Sequence, residues 1–230
     1  DRLIEDGGKY YYVNCEGIYQ TGWIKTEKNG WWGEWTYANA SGEIVNDGWQ
    51  SIGGDWYYFK GGVINQFPII ETEDYGACTF TSDGRYTGIA KRSNWYYINE
   101  KWYYVKADGN LARGKETING HTYYFNSGFT SALLQNEYYS EYDNNSNKSV
   151  SVWVNSNGEK DMSNGWKYTG HTYYYVENGA FKNGWLSYGG NWYYLEPGMA
   201  RGIEFVEYNG EYEYAFFDEN GVYHKLTDGW

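Results

Sequence analysis

Apolar and polar positions alternate along most of the chain, and an aromatic run sits at the centre of nearly every alternating stretch: "DWYYF" at 55–59, "KWYYV" at 101–105, "HTYYF" at 121–125 and "NWYYL" at 191–195. A period of two sends successive side chains to opposite faces, the mark of a half-buried β-strand. Turn segments such as "KADGN", "DENG" and "NSNG" follow these strands, and a short second strand then ends at a glycine. Each such stretch is predicted to be a β-hairpin.

The same form returns roughly every 20 residues. Clear copies are "GGNWYYLEPGMARG" (189–202), "TGHTYYYVENGAFKNGW" (169–185) and "GGDWYYFKGGVINQF" (53–67), and ten approximate units cover nearly the whole chain. An isolated hairpin is marginal in water, so stability must come from stacking each unit on its neighbours. The predicted fold class is therefore all-β, a β-hairpin repeat solenoid. Two stretches break the rhythm, 63–76 around Pro68 and 133–150, which ends in a polar Asn/Ser run. The second one predicts two sub-arrays, 1–145 and 146–230, or else one continuous domain.

Composition explains how a polar chain can fold. Aromatics make up 22% of it, with 29 Tyr and 13 Trp, while mean hydropathy is −0.82. Rings, not aliphatic side chains, must fill the core, and Tyr and Trp can bury a ring while keeping a polar tip wet. The net charge of −12 repels nucleic acid and anionic lipid, leaving neutral or cationic partners. No apolar run approaches the length of a membrane span. A first residue of Asp1 reads as a segment of something longer. Cys15 and Cys78 read as two free thiols, and neither has metal-ligand spacing to a neighbour.

Catalysis finds no candidate set. His121 and His171 share one slot of the repeat, "GHTYY", and read as turn residues, while His224 stands alone. The acidic residues are scattered over turns and strand edges, whereas a glycosidase needs two facing carboxylates. The chain is expected to be non-enzymatic, with no cofactor and no metal.

The binding candidates are tryptophans. Trp49 with Trp56, Trp95 with Trp102, and Trp185 with Trp192 share a spacing of seven, and Trp166 opens another unit. Asp55 and Asn191 stand immediately before the second Trp of their pairs, offering polar partners to a sugar hydroxyl. "GWWGEW" puts Trp31, Trp32 and Trp35 within five residues, and strand alternation cannot bury all three. For any single ring, packing between hairpins is the competing reading; for the pairs taken together, an outward surface is the better one.

"GWLSYGGNWYYLEPGMARG" and "GWQSIGGDWYYF" resemble the cell-wall-binding repeats of Gram-positive surface proteins, the superfamily of choline-binding and glucan-binding repeats. The resemblance implies hairpin solenoids that bind ligands in grooves between repeats and act as non-catalytic targeting modules, extracellular, secreted or attached to the cell surface. For a choline cage it implies Trp185, Trp192 and Met199 with an aromatic from 208–214. Against a full ladder of cages, Ile203 replaces a Trp, and Thr172 and Thr122 occupy the slot of the "WYY" tryptophan. The leading expectation is a carbohydrate-binding module for an α-glucan such as starch or dextran, with sugars stacked on exposed Trp and Tyr. A choline or teichoic-acid module is the alternative, and a structural spacer or adhesin segment the third.

Overall fold

In the computed structural model the described residues are 2–28, 31–128, 130–143 and 147–225; the side chains of 27, 28, 31–33, 141, 143, 148 and 150 also lie outside the description. These residues are all strand, turn and connection, without a helix among them. Two compact units divide the chain, Asp1–Ala112 and Arg113–Trp230.

The first unit holds β1 (Arg2–Asp6) with β2 (Lys9–Val13), β3 (Gly22–Lys28) with β4 (Trp31–Ala38), and β5 (Gly48–Ile52) with β6 (Asp55–Lys60) and a short β7 (Val63–Ile64). It continues with β8 (Ile69–Thr72), β9 (Gly76–Phe80) and β10 (Tyr86–Ile89), then β11 (Asn94–Ile98) with β12 (Lys101–Val105). The second unit holds β13 (Gly114–Ile118) with β14 (His121–Phe125), then β15 (Glu137–Asp143) with β16 (Lys148–Val154). β17 (Gly165–Tyr168) follows with β18 (Tyr173–Glu177) and β19 (Ala180–Phe181), and β20 (Gly184–Tyr188) with β21 (Asn191–Glu196) and β22 (Gly198–Met199). The last sheet is β23 (Gly202–Tyr208), β24 (Glu211–Phe217) and β25 (Tyr223–His224). Residues 144–146, where the sequence places an array boundary, lie outside the described residues, and β15 and β16 on either side of them pair with each other.

The principal hairpin differs from the sequence expectation in its phase. It pairs the strand that opens with Gly-Trp to the aromatic strand across a two-residue turn, and turns such as "DENG" lead on to a short return strand. The reason is conformational: Gly53-Gly54 and Gly189-Gly190 take φ of 64° and 95°, and 60° and 82°, which two-residue hairpin turns require at both central positions. The second turn is closed by a side chain. Asn39 accepts backbone N–H bonds from Ser41 and Glu43, and Asp218 does the same with Asn220 and Val222.

Counting cross-strand pairs from the start of the hairpin gives a common frame. The second rung is Trp49–Tyr58, Trp95–Tyr104, Trp166–Tyr175 and Trp185–Tyr194; the fourth is Ser51–Trp56, Tyr97–Trp102, Tyr168–Tyr173 and Ser187–Trp192. Even rungs share one face and odd rungs the other. In β5–β6 and β20–β21 the even face meets the following hairpin, while odd-rung residues such as Tyr57, Leu186 and Tyr193 pack on the preceding one. The core is accordingly a string of small clusters. Leu186, Leu195 and Met199 form one with Trp166, Tyr175 and Tyr193; Val206, Ala215 and Phe217 form another with Trp185 and Tyr194. A fully buried Leu such as Leu195 contributes about 1.5–3 kcal/mol, so each hairpin is held mainly by its neighbours.

Candidate functional site

The sevenfold spacing is the sequence image of rungs two and four. Trp49 and Trp185 sit on the first strand of rung two, and Trp56 and Trp192 on the second strand of rung four, so each pair is diagonal on one face. Trp185 and Trp192 stand with ring centroids 6.4 Å apart and planes at 76°, a corner rather than a sandwich. Trp95 and Trp102 repeat it at 6.3 Å and 85°.

Rings of the same and the following hairpin surround two of the inner tryptophans. Around Trp185 stand Tyr194 (5.3 Å), Tyr208 (5.7 Å), Phe217 (5.8 Å) and Tyr223 (5.1 Å). Around Trp49 stand Tyr58 (5.2 Å), Tyr75 (5.8 Å), Phe80 (5.9 Å) and Tyr86 (5.0 Å). Each inner Trp is half-buried, while Trp56 is 50% and Trp192 52% exposed. The small Ser51 and Ser187 directly opposite leave the outer indoles uncovered. The arrangement can stack a flat, weakly polar ring on the outer indole, or hold a cationic head in the corner.

Electrostatics favour positive over negative ligands here. Burial pushes the Tyr58 phenol above its ordinary pKa, and the Glu73, Asp74 and Asp47 carboxylates raise it further. At the other corner burial raises Tyr223, helped by Glu213.

The remaining candidates fall into place as follows. Trp35 is exposed on β4, whereas the Trp32 side chain lies outside the described residues. Trp95 is half-buried and Trp102 exposed. Trp166 is half-buried among Tyr173, Tyr175, Tyr188 and Tyr193. Asp55 and Asn191 belong to the odd face, opposite to Trp56 and Trp192, and Asp55 reaches Arg85 at 3.7 Å. Met199 is buried against Leu186 and Leu195. In unit 165–177 the fourth-rung slot holds Tyr173, not Thr172, because the register pairs Tyr168 with Tyr173; Thr122 does occupy that slot in its own hairpin, facing Thr117. His121 bonds Glu159 at 2.8 Å and His224 bonds Asp218 at 3.1 Å, both turn-side pairs. Among the described residues no group of His, Cys, Asp and Glu could hold a metal ion.

Sequence reasoning passed over Trp23, which packs on Tyr37 (5.2 Å), Tyr57 (4.9 Å) and Phe59 (6.1 Å). Its rung-four counterpart is Trp35, twelve residues on, because this hairpin is longer and its register shifts between Thr26 and Glu27. The preceding "TG", like the "DG" before Trp49, was the available signal.

Comparison with known proteins agrees with the repeat. A family model described as "Putative cell wall binding repeat" matches residues 47–62, 93–111, 116–128 and 183–197. No curated protein matches the chain. Among solved structures, the modular autolysin LytC of Streptococcus pneumoniae is 26% identical, over 98% of this chain and 47% of its own, with a TM-score of 0.41. This chain thus spans about half the length of that relative. Alternansucrase in complex with isomaltononaose is 17% identical over 97% of this chain and 18% of its own, with a TM-score of 0.38. Choline binding protein F of S. pneumoniae, solved with a peptidoglycan analogue, is 20% identical over 99% and 88%, with a TM-score of 0.36. The matched segments, not whole-chain superposition, tie this sequence to the repeat.

Proposed function

We propose that this chain, four segments of which match a cell wall binding repeat, is a non-catalytic module that attaches a cell-surface or secreted protein to a polysaccharide, an α-glucan in the first instance. The observation that carries the reading is a half-buried Trp with a half-exposed one diagonal to it on the same face, in ring contact at Trp185–Trp192 and at the matching register at Trp49 and Trp56. A pyranose ring presents a patch of C–H groups that lies flat on an indole, and its hydroxyls stay in water at the rim. Each corner is shallow and weak alone. Two on one chain bind a polymer with avidity, because the second contact is effectively intramolecular.

Carboxylates beside Tyr58 and Tyr223 favour a second reading, a choline head group of a wall polymer held against the rings by cation–π attraction. The double variant Trp56→Ala/Trp192→Ala, assayed for retention on insoluble α-glucan and for heat on titration with free choline, decides between them. Lost retention with no choline heat in the parent chain supports the glucan. Choline heat that vanishes in the variant, with no glucan retention in the parent, supports the alternative. Neither signal in the parent chain leaves a spacer.

A further inference from the structure

The fourth rung varies in kind from hairpin to hairpin. It is Ser–Trp at the two corners, Thr–Thr in β13–β14 and Ser–Ser in β15–β16. In three hairpins it is a pair of rings: Tyr97–Trp102, Tyr168–Tyr173 and Phe205–Tyr214. These pairs share a geometry, with centroids 4.9, 4.7 and 5.0 Å apart and planes tilted by 40°, 35° and 50°. They are also exposed: Tyr97 at 58%, Tyr168 at 53% and Phe205 at 55%.

A ring in the first-strand position fills the place that Ser51 and Ser187 leave open. The angle to the second-rung indole is kept, at 6.3 Å and 85° for Trp95–Trp102 and 6.4 Å and 90° for Trp166–Tyr173, and the two fourth-rung rings form a continuous shelf beside it. The Tyr168 hydroxyl donates to the Gly170 carbonyl at 2.8 Å, which fixes that ring in place before any ligand arrives. Large exposed rings at a recurring register, in a chain whose net charge is −12, suit a neutral partner with broad apolar faces and a polar edge.

We propose that the ring pairs Tyr97–Trp102, Tyr168–Tyr173 and Phe205–Tyr214 are stacking shelves for consecutive neutral pyranose units of a polysaccharide, distinct from the Ser-flanked outer indoles Trp56 and Trp192, and that the first-strand residue of the fourth rung sets which kind of site a hairpin carries. The proposal rests on the polysaccharide reading above. The competing account makes the pairs hairpin staples, since cross-strand rings also stabilise a sheet.

The experiment compares two variants with the parent chain on insoluble α-glucan and with soluble dextran. One is Tyr97→Ser/Tyr168→Ser/Phe205→Ser, which gives these hairpins the residue that positions 51 and 187 already hold; the other is Trp56→Ala/Trp192→Ala. The shelf variant is expected to bind at least about tenfold more weakly through lost avidity. Tyr97→Phe keeps the ring and is expected to bind as the parent does, which a loss caused by misfolding would not explain. Unchanged binding in the shelf variant, with a loss in the corner variant, overturns the shelves and leaves the polysaccharide reading standing. No binding by the parent chain overturns both. Weak binding by the Phe variant overturns the shelves as well, because ring faces would then not be what the ligand uses.

Discussion

The surroundings of Trp49 and Trp185 are built from rings of the same and the next hairpin, yet they are finished differently. In the second, the Trp185 indole N–H donates to the Glu207 carbonyl at 2.7 Å. In the first, the Trp49 indole nitrogen is buried without a partner. The inner rings also differ in pitch: Trp49 lies nearly parallel to Phe80 at 16°, whereas Trp185 is tilted by 39° against Phe217. Repeat grammar therefore fixes which rings meet, while the first strand of the covering hairpin decides whether the indole is hydrogen-bonded, as β23 does through Glu207. An unpaired buried donor costs about 1–3 kcal/mol, so the first corner is the more strained of two otherwise matching sites.

Substitution at the covering turn gives the largest expected effect. Gly84 and Gly221 both hold positive φ, 82° and 75°, in the turns that carry Tyr86 and Tyr223. A Cβ at 84 would meet Ile64 at 2.5 Å and the Asn65 carbonyl at 2.7 Å, whereas one at 221 would meet only the flexible Met199, at 2.5 Å. Gly84→Ala is expected to destabilise its unit by roughly 3 kcal/mol and Gly221→Ala by about half that, measured by denaturant unfolding. Equal losses would show that the two covering hairpins do not differ as the packing requires.

Next in size are the inner indoles. Both Trp49→Phe and Trp185→Phe lose ring area, but only the latter breaks a hydrogen bond and strands the Glu207 carbonyl. Trp185→Phe should therefore be the costlier by about 1–2 kcal/mol. A reversed order would mean that the Trp49 N–H has a partner in solution. The outer indoles come third. Trp56→Ala and Trp192→Ala remove half-exposed rings and should each change stability by less than about 1 kcal/mol, read from thermal melts, while weakening polysaccharide retention.

The smallest effect is in alkali. Burial first, and nearby acidic groups second, raise the phenols of Tyr58 and Tyr223, and Tyr86 is raised by burial as well. A raised folded-state value means that this contribution is complete below the ordinary tyrosine value of about 10 and is lost as pH rises through the folded value. Melting temperature should stay flat from neutral pH to about 9.5 and fall beyond it. A fall that begins near pH 8 would point to a different group.

Much of this was legible in the chain. The seven-residue spacing of Trp49–Trp56 and Trp185–Trp192 marks a diagonal pair only because a two-residue Gly-Gly turn lies between, and both parts are visible in the sequence. What the chain hides is non-local. Tyr75, Phe80 and Tyr86, or Tyr208, Phe217 and Tyr223, reach a corner from the next hairpin, and no local pattern announces which rings will do so. Strand alternation, applied to "GDWYY" and "GNWYY", would have turned Asp55 and Asn191 away from the adjacent indole. Met199 followed the resemblance to choline cages but serves the core, where Leu186 and Leu195 needed a third apolar partner. Trp23 escaped because the hairpin after it is longer, and Tyr173 because the turn at 169–172 displaces the register by one residue.

The most direct test reads the indole N–H signals of the ¹⁵N-labelled chain while soluble α-glucan oligosaccharide is added. The account predicts saturable shifts at Trp56 and Trp192, smaller ones at Trp49 and Trp185 beneath them, and none at Trp153, which is buried in the second unit. Unmoved Trp56 and Trp192 signals at saturating sugar would contradict it.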